Sequence, residues 1–500
     1  MHRCLSVPEI LSTALATLAR TCTVFQSPAL ALLWRTQQSM FNIIRCMPPD
    51  RLYIDTSTPL PTVRLLRPVT ASDWDRVLVY APLVRILWSR GGDLSLESIF
   101  LALNLSMPTN CLFPNLTRLG WVKSTDFQYI GLLLASQLEH IFIVCPPPAI
   151  NLSFLAALPR RCPLLQTLQI TGQQHLPDAI CGFMDGLPNL TSLEVSLADM
   201  RTLICSGRLP RLRRLCLQLS RPVAIPATLP ENLFLNLEHT TLYHIDSRTA
   251  TRLVPVLVHA KLVGITMRLS GSQTTSMVND LLKSLVDCSY LEPSLSSFRL
   301  DHVGAPTPAQ SALCAITTDS LRLLCRLWTL TEVEIASDAF SLDDCCLLEI
   351  SRSWSRIRKL ELITFLPNRK PVATLSGLLA LARHCRDLET LRLSLDTSSI
   401  PQTGTASDVV PQTCLQLTAV ISIDVGFSAL NDTLAFARFI SGIFPNLKSV
   451  LTYQDDKLTY QLDIADEARL AAHHQRWKEA EAHIPMFVAV REEGRLLAQR

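Results

Sequence analysis

Residues 162–170 read Cys-Pro-Leu-Leu-Gln-Thr-Leu-Gln-Ile, and within them Leu165, Leu168 and Ile170 form an apolar triplet spaced x-x and then x. The same spacing recurs at Leu116, Leu119 and Trp121; at Leu190, Leu193 and Val195; at Leu212, Leu215 and Leu217; and at Leu388, Leu391 and Leu393. A short lead such as "FPNL" or "CPLL" usually comes first. Taking the first apolar position as the mark, copies begin at Leu83, Leu116, Leu138, Leu165, Leu190, Leu212, Leu237, Leu262, Leu295, Leu330, Ile357, Leu388, Leu417 and Leu447, at steps of 22–35 residues. The third position is weak in the copies at 262, 417 and 447, where it holds Met, Ser and Thr. A phrase returning at this interval marks a solenoid in which one short strand per turn stacks on the next. Alternation over six positions is the strand signal. The segments between strands carry helical spacing, as in Phe154-Leu155-Leu158, Leu281-Leu282-Leu285 and Leu375-Leu378-Leu379-Leu381. The predicted fold class is α/β, with parallel strands on a concave face and returning helices on the convex one.

Working outward, residues 1–45 predict an all-helical segment. Ser6 and Glu9 fit a capping box, with Pro8 in the first turn, where a missing N–H costs nothing. Leu11, Leu15, Leu18 and Cys22 follow at helical spacing, and Pro28 can open a second helix through Leu30, Leu33 and Trp34. Residues 46–79 hold prolines at 48, 49, 59, 61 and 68 and read as a connector with one short strand, Thr62–Leu66. Repeats fill 80–452. The stretch 453–500 is a C-terminal helical cap over the open last turn, with Ile464, Ala468, Ala471, Trp477 and Ala480 on one side and one strand at Met486–Arg491.

Composition limits the function classes. With 500 residues, 48% of them hydrophobic, core material is ample, and 46 basic against 43 acidic residues leave a formal charge of +3. A duplex-binding protein is expected to carry a basic stripe. The nearest is RLPRLRR at 208–214, which also reads as a solvated strand-and-turn surface, so no nucleic-acid partner is predicted. Sixteen cysteines contain no C-x-x-C pair, and Cys145, Cys162, Cys216, Cys325 and Cys385 stand beside apolar residues. Free cysteine packs as a small hydrophobe, so buried thiols and a cytosolic or nuclear setting are expected. Five N-x-[ST] sequons, at Asn104, Asn115, Asn151, Asn189 and Asn431, keep a secreted binding horseshoe as an alternative. Asn115 and Asn189 lie inside the repeated "PNLT" lead. The apolar run at residues 10–19 has Pro8-Glu9 before it and Arg20 after it, which does not fit a signal peptide. No window of 18 uninterrupted apolar residues exists, so no membrane partner is predicted.

The triplet spacing resembles a leucine-rich repeat, without the Asn that usually follows its last Leu: Asp199 stands one place late after Val195, and Ser220 stands after Leu217. Irregular repeats of this kind resemble those of F-box proteins. At the amino terminus, CLSVPEIL (Cys4–Leu11), LARTCTVFQSPAL (Leu18–Leu30) and LLWR (Leu32–Arg35) resemble the F-box-like region of a family of basidiomycete fungal proteins. DWDRVLVYAPLVRIL (Asp73–Leu87), LFPNLTRLGW and LPRRCPLLQTLQI extend that likeness along most of the chain. The resemblance implies a non-catalytic, substrate-binding subunit of a cullin-RING (SCF-type) ubiquitin ligase. It implies that Leu5, Pro8, Glu9, Ile10, Leu11, Leu15 and Leu18 dock on a Skp-type adaptor. The F-box region is truncated: only six residues separate Leu11 from Leu18. A shorter module buries less apolar area, at about 25 cal/mol per Å². The alternative is therefore a ligase-independent scaffold with a decayed F-box.

Catalytic motifs are missing from the sequence: there is no G-x-G-x-x-G, G-x-x-x-x-G-K-[ST], G-x-S-x-G or H-E-x-x-H. No cofactor or metal is implied. His473 and His474, adjacent on a helix, point about 100° apart and are expected on a solvated surface. Cys22 is expected to be a core cysteine. The variable residues of each strand should face outward on the concave side. That places Glu139, His140, Gln166, Glu194, Arg213, Arg214, Glu238, His239, Arg299, Glu332, Glu334, Arg358, Lys359, Glu361, Glu389 and Arg392 on one polar face of mixed sign, the candidate surface for a protein substrate.

Overall fold

The computed structural model describes residues 8–57, 61–89, 94–107, 109–122, 127–145, 153–172, 177–219, 230, 233–257, 260–271, 273–288, 291–303, 315–364, 370–401, 416–455 and 464–498. Leu5, Ser6 and Asn151 lie outside the described residues, as do the side chains of Pro8, Glu9, Ile10, Leu11 and Cys145. The chain divides into two compact units, Met1–Ser220 with Pro230–Leu237, and Arg221–Leu229 with Glu238–Arg500.

In the first unit the strands pair in parallel in the order Thr36–Gln37, Ile86–Ser89, Arg118–Trp121, His140–Cys145, Thr167–Gly172, Ser192–Ala198 and Arg214–Leu219. The sheet therefore begins within the segment expected to be wholly helical. Before it, helix Pro8–Thr21 packs on helix Thr23–Arg35. Pro28 lies inside the second helix rather than at its start. Leu15 is half-buried and Leu18 and Cys22 are exposed, so Cys22 is not the expected core cysteine. The connector forms an antiparallel hairpin, Leu52–Asp55 with Thr62–Leu65. It is pinned by a buried ion pair, Arg51 to Asp73 at 2.6 Å.

The second unit runs in parallel through His239–Ile245, Gly264–Ser270, Ser297–Val303, Glu332–Ser337, Lys359–Thr364, Thr390–Leu393, Ser422–Asp424 and Ser449–Leu451. Parallel strands need crossovers, and in both units many of these are helices packed side by side, such as Ser153–Arg161 on Pro177–Met184 and Asp344–Ser353 on Leu375–His384. Each buries one apolar stripe, as in Leu281, Leu282 and Leu285, and the inward strand residues such as Phe298 and Leu300 are buried too.

Polar side chains set the boundaries of each turn. The Asp before a helix accepts the amide three residues on: Asp199 from Thr202 at 2.9 Å, Asp246 from Thr249 at 2.9 Å, Asp343 from Cys346 at 2.8 Å and Asp432 from Ala435 at 2.9 Å. Asp199, one place off the usual repeat Asn, is thus a helix cap. The asparagine ladder lies elsewhere, in the lead before several of the strands. Asn115 donates to the Pro82 carbonyl at 2.9 Å, Asn189 to Pro163 at 3.0 Å, Asn236 to Pro210 at 2.8 Å and Asn446 to Thr418 at 2.8 Å. Thr117 and Thr191 of the same leads donate to the Arg85 and Gln166 carbonyls. The "PNLT" sequons are therefore built from residues that tie one turn to the previous one.

The chain ends in one helix, Ile464–Ala498, and the strand expected at Met486–Arg491 is helical. Its buried side is Leu470, Trp477, Ala480 and Ile484, while Ala468 and Ala471 are exposed. Trp477 donates to the Ser428 carbonyl at 2.9 Å and meets Phe436 edge-on with centroids 4.8 Å apart. Among the described residues, no helix is long and apolar enough to cross a membrane.

Candidate binding face

Alternation assigns every strand residue to one of two faces, and the pairing registers align those faces across strands. In the second unit the open face carries Arg299, Glu334, Glu361, Arg392 and Asp424 in one row across five strands. Flanking it are Glu332 and Lys359 on one side and Arg268 and Asp301 on the other. These charges answer one another across the strands. Arg299 reaches Asp301 at 3.0 Å and Glu334 at 3.0 Å, and Lys359 reaches Glu334 at 2.9 Å and Glu361 at 3.3 Å. Arg392 reaches Asp424 at 3.1 Å and Arg268 reaches Asp301 at 3.3 Å.

Burial and charge compete at the centre of this lattice. Burial and the like charge of Glu334 push the Glu361 carboxyl up, against the pull of Lys359. Burial opposes the charge on Lys359, yet Glu334 and Glu361 outweigh it and hold its pKa above the ordinary lysine value. Beyond Lys359, a groove lined by Glu361, Arg392, Ile421, Ser422, Asp424 and Leu451 crosses the last strands.

The sequence-derived set splits in two. His140, Glu194, Arg214, His239, Arg299, Glu332, Glu334, Lys359, Glu361 and Arg392 stand within strands on the open face. Glu139, Gln166, Arg213, Glu238, Arg358 and Glu389 precede their strands and form a rim, where Arg358 pairs with Glu389 at 2.7 Å. Glu194 lies in the first unit beside Gln169 and Cys216. Burial lifts its carboxyl above the ordinary range. The open face of that unit is otherwise unlike the second. Trp88, Gly120 and Phe142 are in register across three strands, with Ile86, Arg118 and His140 in the row beside them. Burial first, then the charge of Arg118, keeps the His140 pKa below its usual value.

Trp88 escaped the sequence reading because the phrase at Leu83 is out of register by one. The inward residues are Val84 and Leu87, both fully buried, so Ile86 and Trp88 face outward. A one-residue slip moves a whole strand to the other face. The copy at Leu417 slips by three: Val420, Ile423 and Val425 point in, and Ser422 points out. Asp301 and Asp424 were missed because they fall beyond the strands' apolar triplets or in the slipped copy.

Four cysteines and the histidine pair of the last helix serve packing. Burial pushes the Cys162, Cys216, Cys346 and Cys385 thiols up to about 12, which suppresses the thiolate that nucleophilic chemistry needs. His473 Nδ1 accepts the Leu430 amide at 3.4 Å and His474 Nδ1 lies 2.7 Å from Thr452 Oγ1. This pair docks the last helix rather than facing solvent alone. Among the described residues, no cluster of His, Cys, Asp or Glu could hold a metal.

No family model and no curated protein matches the chain. Solved structures that align with it include TLR13 in complex with ssRNA13, at 15% identity over 77% of this chain and 54% of that one, with a TM-score of 0.32. The Toll–Spätzle complex, a hub in Drosophila development and innate immunity, aligns at 12% identity over 77% of this chain and 60% of that one, with a TM-score of 0.34. The chain spans less than two thirds of the length of either.

Proposed function

We propose that the chain is a non-catalytic recognition protein of the F-box and leucine-rich-repeat type, which holds a protein substrate on the open face of its sheet. The observation that carries this reading is the polar row from Arg299 to Asp424, mounted on rigid parallel strands whose alternate residues are buried. Function is set by such grafted surfaces more than by fold. The amino-terminal helices would dock on a Skp-type adaptor, the role that the F-box resemblance implies for Leu5, Pro8, Glu9, Ile10, Leu11, Leu15 and Leu18. Supporting this, Leu18, Val24, Phe25 and Leu32 are 42%, 76%, 52% and 54% exposed, an apolar surface with reason to be covered.

Co-precipitation of the full chain with a Skp-type adaptor, with and without residues 1–45, tests the ligase assignment. Loss of the adaptor on deletion supports it. A full chain that ignores an adaptor bound by an intact F-box protein leaves the second reading, a ligase-independent scaffold. That reading is favoured by the short link between Leu11 and Leu18.

A further inference from the structure

The open face of the first unit carries an aromatic pad. Trp88 and Phe142 stand two strands apart, a backbone separation of about 9.5 Å at ordinary strand spacing. Their ring centroids are nevertheless only 6.0 Å apart, tilted by 46°. Gly120, in register between them, makes this possible, because a Cβ there would fall within the Trp88 indole, against Cε3 and Cζ3. The indole lies across the glycine strand toward the phenyl ring. Both rings are half-buried and sit on the sheet face opposite the buried Leu87, Leu119 and Ile141.

The charges beside the pad are cationic. Arg118 stands two residues before Gly120 in the adjoining row, exposed, and Arg85 precedes the Trp88 strand with its guanidinium on the Asn115 carbonyl. Among the described residues Arg118 is in no ion pair, in contrast to the self-paired lattice of the second unit. His140, the other titratable neighbour, is kept toward its neutral form by burial and by Arg118. Glu139 sits on the rim, 3.9 Å from His140.

We infer that this pad binds an extended segment of a protein partner in which a large apolar side chain stands next to carboxylates. The inference rests on the open-face reading above and names the partner chemistry for one part of it. Aromatic rings and Arg are the residue types that concentrate binding energy at interfaces. The rings seat the apolar side chain, and Arg118 takes a neighbouring carboxylate in the geometry a guanidinium favours. A single nucleic-acid strand can also stack on rings beside arginines. Its phosphates recur at every nucleotide, however, and Glu139 on the rim and Glu194 two strands beyond Phe142 interrupt the cationic path. A peptide can place its carboxylates to suit.

The test uses the full chain and fluorescence anisotropy with three labelled probes: an acidic–aromatic peptide, the same peptide with Lys for each Glu, and a single-stranded oligouridylate. The acidic peptide should bind, more weakly as salt rises. Trp88→Ala, Phe142→Ala and Arg118→Glu should each weaken it about tenfold or more, which is about 1.4 kcal/mol. Arg118 is exposed, so its variant keeps the test meaningful where an aromatic variant loses stability. Gly120→Val, which displaces the indole, should do the same as Trp88→Ala. Equal binding of the lysine peptide, tighter binding of the oligouridylate, or indifference to all four variants overturns the inference. A natural partner lost on charge reversal at Arg299 or Lys359 but retained by Trp88→Ala overturns it too, and leaves the broader open-face reading standing.

Discussion

Glu481 caps the last strand: its Oε2 accepts the Val450 amide at 2.7 Å, and Lys478 Nζ donates to the Val450 carbonyl at 3.0 Å. Strand Ser449–Leu451 ends the sheet of its unit, and an edge with unpaired N–H and C=O groups is a template for pairing with another chain. Two side chains of one helix occupy that template. Glu481→Ala with Lys478→Ala should destabilise the chain by about 1–3 kcal/mol, the range for losing a charged partner of a buried polar group. It should also cause concentration-dependent self-association, measured by sedimentation velocity. A monomer at all concentrations would argue that the edge needs no cap.

The asparagine ladder should cost stability at each rung. Asn189→Ala removes the bond to the Pro163 carbonyl and should lower stability by about 1 kcal/mol in urea melts. Asp343→Ala, which uncaps helix Asp344–Ser353, should cost a similar amount. Substituting Asn431, which lies in no such rung among the bonds described, should be close to neutral.

The His302–Asp338 pair should make stability depend on pH. His302 is 8% and Asp338 4% exposed at the side chain, with Nδ1 3.4 Å from the carboxylate and Nε2 3.3 Å from the Gly271 carbonyl. Burial alone would lower the His302 pKa, but Asp338 and the carbonyl outweigh it and raise it. Asp301, the charged neighbour, is committed to Arg268 and Arg299. A raised histidine pKa stabilises the fold fully below its unfolded value of about 6.5 and loses that contribution as pH rises through the folded value. The melting temperature should therefore fall between pH 6 and pH 8, and His302→Gln should flatten that slope.

Lys359 holds two carboxylates apart. Lys359→Met leaves Glu334 and Glu361 without the shared cation. Because the group is about a third exposed, the loss should be about 1 kcal/mol near neutral pH. It should shrink as the solution is acidified toward pH 5 and Glu361, already raised, takes up its proton. Urea melts of the variant at the two pH values measure it.

Most of the repeat was legible because the inward residues are large and periodic: Leu165, Leu168 and Ile170 announce both the strand and its buried face. The failures have equally local causes. At 83–89 Leu83 competes with Val84 and Ile86 with Leu87, while the true register ends on the polar Ser89 and the false one on Trp88, so the parity is misread. At 417–425 Ser422 sits between apolar neighbours and invites the wrong register. The pad of Trp88 and Phe142 depends on a glycine whose role appears only when three strands, separated by more than twenty residues each, are laid side by side. The helix caps at Asp199 and Asp343 were hidden because an acidic residue in a loop has many uses.

The most direct test is a quantitative capture of binding partners from cells by the full chain and by a triple variant, Glu334→Arg, Glu361→Lys and Arg392→Glu, chosen to reverse the open-face row and checked for an unchanged melting temperature. The open-face reading predicts that a defined protein partner held by the parent chain is lost by the variant, while any adaptor held through residues 1–45 is kept. Equal retention of that partner by the folded variant would contradict it.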